Sequence, residues 1–173
     1  MNMSKTKEKT LAWLSLVVLS DRALLPLDIK TNQGYFAVEP IQELDYRNRS
    51  ALVEGLISAL QKGNPERDVP DWWTKKEQTP MEKLAKAKSW RDLEKKSIYF
   101  SILVHELDIR IEAWGRASNG AWSDEKDTVL DVRIPASSGA EGIADVILEH
   151  LKTRKDLPGL SFGPSQQQTA KGA

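Results

Sequence analysis

Ile98-Tyr99-Phe100-Ser101-Ile102-Leu103-Val104-His105-Glu106-Leu107-Asp108-Ile109-Arg110-Ile111-Glu112-Ala113 is the stretch that decides the fold. Ile98, Phe100, Ile102 and Val104 occupy alternate positions, and so do Leu107, Ile109, Ile111 and Ala113, but in the opposite phase. A period of two places each set on one face of a strand. The phase flip at His105-Glu106 predicts a bulge or bend in a central strand, because one extra residue exchanges the faces. On that reading Glu106, Asp108 and Glu112 share the outer face, interrupted by Arg110.

Downstream, Asn119-Gly120 is a strong hairpin signal, and Leu130, Val132 and Ile134 form a further alternating strand closed by Pro135. Ser138 with Glu141 predicts the cap of a last helix with the stripe Ile143, Val146, Ile147 and Leu151. Upstream, Leu11 to Leu19 reads as a buried strand. Leu25, Leu27 and Ile29 share one face of a second strand, with Pro26 marking an edge or bulge. Tyr35 to Glu39 is a short third strand ending at Pro40. A helix capped by Ser50 carries Leu52, Val53, Leu56, Ile57, Ala59 and Leu60, and stops at Gly63. Thr79 with Glu82, and Ser89 with Asp92, start two more helical segments, with Trp90 and Leu93 facing the core. The fold class is therefore α+β: a single domain with a curved, mainly antiparallel sheet packed against about three helices. Residues 1–10 are expected to be a flexible lead segment, 11–155 the domain and 156–173 a disordered tail.

The 173 residues suit one domain. Lys+Arg and Asp+Glu both number 25, so net charge offers no footprint for a nucleic-acid backbone. With no cysteine, disulfides and thiolate metal sites are excluded. No apolar run approaches the roughly 20 residues of a membrane span.

The chemical inventory is thin. His105 and His150 lack metal-ligand spacing, and no serine sits in a nucleophile elbow. Glu106, Asp108 and Glu112 could serve acid–base work or Mg²⁺, but mixed charge on the outer face of a half-buried sheet is the default. The conspicuous feature is the aperiodic stretch between Gly63 and Thr79, which carries Asp71, Trp72 and Trp73. One indole is expected to cover the core and the other to anchor a partner, since tryptophan is enriched in binding hot spots.

The punctuation of the chain has a pattern of its own. Gly34-Tyr35-Phe36-Ala37 is followed by Gly63-Asn64-Pro65 with Val69-Pro70, by Lys88-Ser89-Trp90, by Asn119-Gly120-Ala121-Trp122, and by the helix after Pro135. Over Leu11 to Leu151 this resembles the small bacterial immunity proteins of contact-dependent growth inhibition systems. The resemblance implies a cytoplasmic binding protein rather than an enzyme, without a cofactor or metal. Its partner would be the cognate C-terminal toxin domain of a large surface-displayed effector, often a nuclease. Direct binding of nucleic acid or membrane is not expected. The candidate toxin-contact residues are Asp71, Trp72, Trp73, Glu106, Asp108 and Glu112. Rival readings are a single-strand nucleic-acid-binding module, and a small-ligand-binding or hydrolytic domain with His105 as its first candidate.

Overall fold

A computed structural model describes residues 8–123, 129–157 and 159–160. Strands β1 (Ala12–Leu19), β2 (Ala23–Thr31) and β3 (Gly34–Leu44) come first, then helix α1 (Arg49–Lys62). Three short helices follow: α2 (Asp71–Thr74), α3 (Pro80–Leu84) and α4 (Trp90–Lys95). Next are β4 (Ser97–Val104), β5 (Asp108–Ala113), β6 (Gly115–Arg116), β7 (Trp122–Ser123) and β8 (Leu130–Pro135), and last α5 (Gly139–Thr153). Six strands form one open antiparallel sheet in the order β3-β2-β1-β4-β5-β8. The fold is α+β, as expected. Among the described residues, two long and three short α-helices accompany the sheet.

The decisive stretch is two strands, not one bent strand. His105 N–H donates to Asp108 O at 2.8 Å and closes a tight turn through Glu106 and Leu107. The register pairs Phe100 with Ala113, Ile102 with Ile111 and Val104 with Ile109. An even-numbered residue thus faces an odd-numbered one, so the hairpin itself produces the phase flip. Leu107 is consequently not core but 84% exposed, and Glu106 lies in the turn, off the strand. The turn has no Gly or Asn to announce it, which is why alternation alone read as a bulge.

One face of the sheet packs under α1 and α5. Leu14, Leu16, Val18, Leu25, Ile98, Phe100, Ile102, Ile109 and Ile111 meet Leu52, Leu56, Ile143, Ile147 and Leu151 there. Gly55 lets α1 approach closely, since a Cβ would stand 2.5 Å from Leu44 Cδ1. Asn48, not Ser50, caps α1 by accepting from Ala51 N–H. Gly63 ends the helix at φ 59°, the left-handed region glycine enters without strain. Ser138 makes no side-chain cap; a 3₁₀ turn over Ala136–Ser138 leads into α5 instead. The Thr79–Glu82 capping box forms as expected.

The other face is only partly covered. Val17, Leu19, Leu24, Met81, Ala87 and Leu93 form a second cluster with Ala37, Ile41, Tyr99 and Trp122. Phe36 touches α2 while its neighbour Ala37 belongs to this second cluster. The segment from α1 to α4 therefore wraps around edge strand β3 from one face to the other. β3 continues through Pro40 to Leu44. It can do so because the ladder is irregular between Leu25 and Leu27, where Pro26 and Pro40 make no strand pairs.

Between β1 and β2 the sheet parts. The two strands pair only at Val17–Leu24 and Val18–Ala23. Beyond, Asp28 and Asn64 fill the gap. Asp28 Oδ2 and Oδ1 accept from Ser15 N–H and Oγ–H, both at 2.7 Å. Asn64 accepts from Trp13 N–H and donates to the carbonyls of Trp13 and Asp28, each at 2.8 Å. Its amide does for β1 and β2 what a neighbouring strand's peptide would. The main chain beyond Asn64 stays close, with Lys30 N–H on Pro65 O and Arg67 N–H on Lys30 O.

Asp156 and Leu157, assigned on sequence to the tail, pack in the domain: Asp156 accepts from Arg154 and Arg116, and Leu157 is buried in the main core. The rest of the expected tail, residues 158 and 161–173, and residues 1–7 of the lead segment lie outside the described residues.

Candidate functional site

The tryptophan segment forms one helical turn within the aperiodic stretch. Trp73 N–H bonds Pro70 O, Lys75 N–H bonds Asp71 O, and Glu77 N–H bonds Trp72 O at 2.9 Å. Phe36 on β3 holds both indoles by edge contacts, its centroid 5.9 Å from Trp72 and 5.4 Å from Trp73. The indoles themselves stand 6.5 Å apart and nearly perpendicular. About 100° separates successive side chains on a helix, so one can be sheltered while the next is not. Trp72 is half-buried and Trp73 is 54% exposed. Asp71 beside them is exposed.

Asp108 and Glu112 sit far from this turn. Three strands separate β3 from β5, on the order of 20 Å at normal strand spacing. They share the uncovered sheet face with an ion-pair ladder. Arg110 donates twice to Asp131, at 2.9 and 2.8 Å, and contacts Glu112 at 2.7 Å. Arg133 bonds Asp108 at 2.9 Å and Glu8 at 3.0 Å. The hydrogen bond to Arg110 holds the Asp131 carboxyl below its ordinary range. These carboxylates are not a free acidic cluster. Glu8, His105 and Asp108 present ligand atoms within 4.8 Å of one another, the spacing of a cation site. The Arg133 guanidinium already bonds both carboxylates of that trio.

The histidines are committed to packing. His105 is buried, with Nδ1 3.4 Å from Lys9 O. His150 lies edge-on to Phe100 and 3.3 Å from Arg154 Nη1. Burial, with Arg154 second, pulls it down to about 4, so it is neutral and does not serve the helix dipole as a cation. Arg154 belongs to a buried polar centre. Its side chain is 1% exposed, and it holds Asp156 through two bonds and Trp114 O through a third. Arg116 adds a bond to Asp156 at 3.1 Å. Asp156 is held well below the ordinary carboxylate range, first by Arg154. Asp28 is the opposite case: burial pushes it up to about 7, against the pull of Ser15.

The uncovered face also carries aromatics that alternation along β1 could have disclosed. Trp13 and Ser15 fall on the phase opposite to Leu14, Leu16 and Val18. Trp13 Nε1 donates to Ser101 Oγ at 2.7 Å, and its ring meets Tyr35 at 5.0 Å. Trp114, 39% exposed, packs on Tyr99, and Tyr99 on Trp122. Trp90 lies against Trp122, 46% exposed rather than core-facing, while Leu93 is fully buried. A groove of about 350 Å³ lies at Leu19, Arg22, Lys95, Lys96 and Leu157, and two of its cations are already paired, Arg22 to Glu43 and Lys96 to Asp92. No described helix is long and apolar enough to cross a membrane.

No family description and no curated protein matches this chain. Among solved structures it is similar to a protein of unknown function from Neisseria meningitidis. The TM-score is 0.57 at 15% identity, over 88% of this chain and all of the other. That likeness is one of fold.

Proposed function

We propose that this chain is an immunity protein, which binds and neutralises the C-terminal toxin domain of a contact-dependent growth inhibition effector in the cytoplasm. The observation that carries the reading is Trp73: a large aromatic left 54% exposed on a helical turn that backbone bonds and Phe36 brace. A pre-braced indole loses little freedom on binding, which suits a contact anchor. Asp71 beside it offers a carboxylate to a basic toxin. Asp108, Glu112 and the turn residue Glu106 form a second, separate patch. The commitment of both histidines and most strand carboxylates to internal contacts favours binding over catalysis. On the sheet face Arg110 and Arg133 are both engaged by carboxylates rather than left for a phosphate backbone, which counts against the single-strand-binding reading.

Co-expression with the toxin domain encoded beside it tests the proposal. The two proteins should co-purify with nanomolar or tighter affinity. Trp73→Ala should weaken binding by roughly 30-fold, about 2 kcal/mol, with its melting temperature nearly unchanged. Glu106→Ala should chiefly slow association. Two folded proteins that fail to associate would overturn the immunity reading; full affinity in folded Trp73→Ala would overturn only the site.

A further inference from the structure

The two edges of the sheet are not equivalent. β3 is irregular at Pro40 and has the chain from α1 to α4 wrapped around it. β8 is regular: all six of its residues pair in unbroken register with β5, and no described strand lies on its other side. Its core-side residues Leu130, Val132 and Ile134 remain only half-buried although they pack on the main core. Such an edge invites a further strand. Its outer-face charges decide which. Asp131 and Arg133 lie two residues apart around Val132. Place a second β8 antiparallel to the first with Val132 facing Val132. Asp131, already held by Arg110, then stands opposite Arg133 of the other copy, and Arg133, already held by Asp108 and Glu8, opposite its Asp131, so the contact extends an existing ion-pair ladder across the axis. On the core side Leu130 meets Ile134. Directly opposed side chains in antiparallel strands lie within interaction range, and opposite charges there are favourable. A two-fold axis satisfies both ends of the pattern at once.

We propose that β8 is a dimerisation edge, and that its occupant is β8 of a second copy of this chain, paired antiparallel about Val132. The register is open whichever set of backbone groups points outward, since Val132 can sit in either kind of antiparallel pair. The helices allow it too. α5 lies over both β5 and β8, so its two copies flank the axis on the order of 10 Å apart, the distance at which helices pack side by side. An unrelated strand lacks the matching charge order, so the same residues that blunt the edge against strangers admit a copy.

Sedimentation equilibrium of the full chain, up to roughly 200 μM, reads the association directly. The wild type should dimerise. Asp131→Arg and Arg133→Asp should each weaken dimerisation at least tenfold, since each places like charges opposite across the axis. An equimolar mixture of the two variants should restore it, because each supplies the charge the other lacks. Within each copy Asp131→Arg also meets Arg110, and Arg133→Asp meets Asp108 and Glu8, so the folding of each variant is checked by thermal melts followed by circular dichroism. The absence of cysteine gives a second readout that needs no charge change. Val132→Cys should oxidise to a disulfide-linked dimer, its opposed Cα atoms falling within bridging distance. Val129→Cys, whose opposite position is Pro135, should not. A wild type monomeric at the top concentration overturns the proposal. So does dimerisation unaffected by both reversals, no restoration in the mixture, or equal cross-linking at the two cysteine positions.

Discussion

Two aspartates in this domain, Asp28 buried and Asp156 half-buried, are shifted in opposite directions. Asp156 lies between two guanidiniums, those of Arg154 and Arg116, and is held ionised far below its ordinary range. Asp28 accepts two bonds from Ser15 but meets no cation in its hydrogen bonds, and burial raises it to about 7. Both are satisfied, so hydrogen bonding alone does not set the charge. What differs is how much hydration is lost, nearly all of it at Asp28, and whether an opposite charge replaces it, as Arg154 does at Asp156. The arginine centre ties the chain after α5 to the turn at Trp114 and holds its charge through the physiological range. The Asp28 centre fills a seam between strands and changes charge near neutrality.

The largest blow to this contrast is Arg154→Ala. It removes a guanidinium that is 1% exposed and leaves the Trp114 carbonyl without that bond and Asp156 with Arg116 alone. The expected loss is about 3–5 kcal/mol by chemical denaturation. A loss under about 1 kcal/mol would show that Arg116 suffices. Asn64→Ala strikes the other centre, leaving Trp13 N–H and the carbonyls of Trp13 and Asp28 without that partner. Its cost should be about 2–4 kcal/mol, smaller where water enters the gap.

The contrast is sharpest in pH dependence. Asp28 has a raised folded value, so its contribution to stability is complete below 3.8 and is gone above about 7. His150 works the other way across part of that window: its contribution is complete above 6.5 and is lost as pH falls through about 4. The wild-type profile therefore mixes the two, and the difference between wild type and Asp28→Asn isolates the first. Between pH 5 and pH 8 the wild type should lose about 2–3 kcal/mol relative to that variant. A difference that stays constant with pH would mean that Asp28 is ionised throughout. Asp156 has a depressed folded value, so its contribution is present above 3.8 and disappears only in stronger acid. Asp156→Asn should therefore show no pH-dependent difference from wild type between pH 5 and pH 8.

Much of the fold was legible because local chemistry and burial agree there. The Thr79–Glu82 box, the Asn119-Gly120 hairpin and the stripes of α1 and α5 use residues whose preferences match their places. The turn at Glu106-Leu107 was missed because neither residue is a turn former, and a hairpin of odd register imitates a bulge in the hydrophobic pattern. β3 was cut short at Pro40 because proline ends a central strand, and only tertiary structure shows that this one lies at an edge. At the candidate site, the tryptophan turn stood out as aromatic residues without a period. Its separation from Asp108 and Glu112 depends on strand order, which alternation does not encode. The Asp28–Ser15–Asn64 seam left no local trace, because its hydrogen bonds, including that of Trp13 to Asn64, span 13, 36 and 51 positions of the chain.

That seam also orders events in time. A β1–β2 hairpin on its own can zip only near Val17 and Leu24, since the rest of its closure waits for a side chain beyond the end of α1. The β4–β5 hairpin, by contrast, closes over a two-residue turn with five consecutive pairs and little loop entropy to overcome. Assembly is therefore expected to start in the second half of the sheet, with Asn64 docking after the rate-limiting barrier, and refolding and unfolding rates of Asn64→Ala check it. Its removal speeds unfolding and leaves the refolding rate nearly untouched.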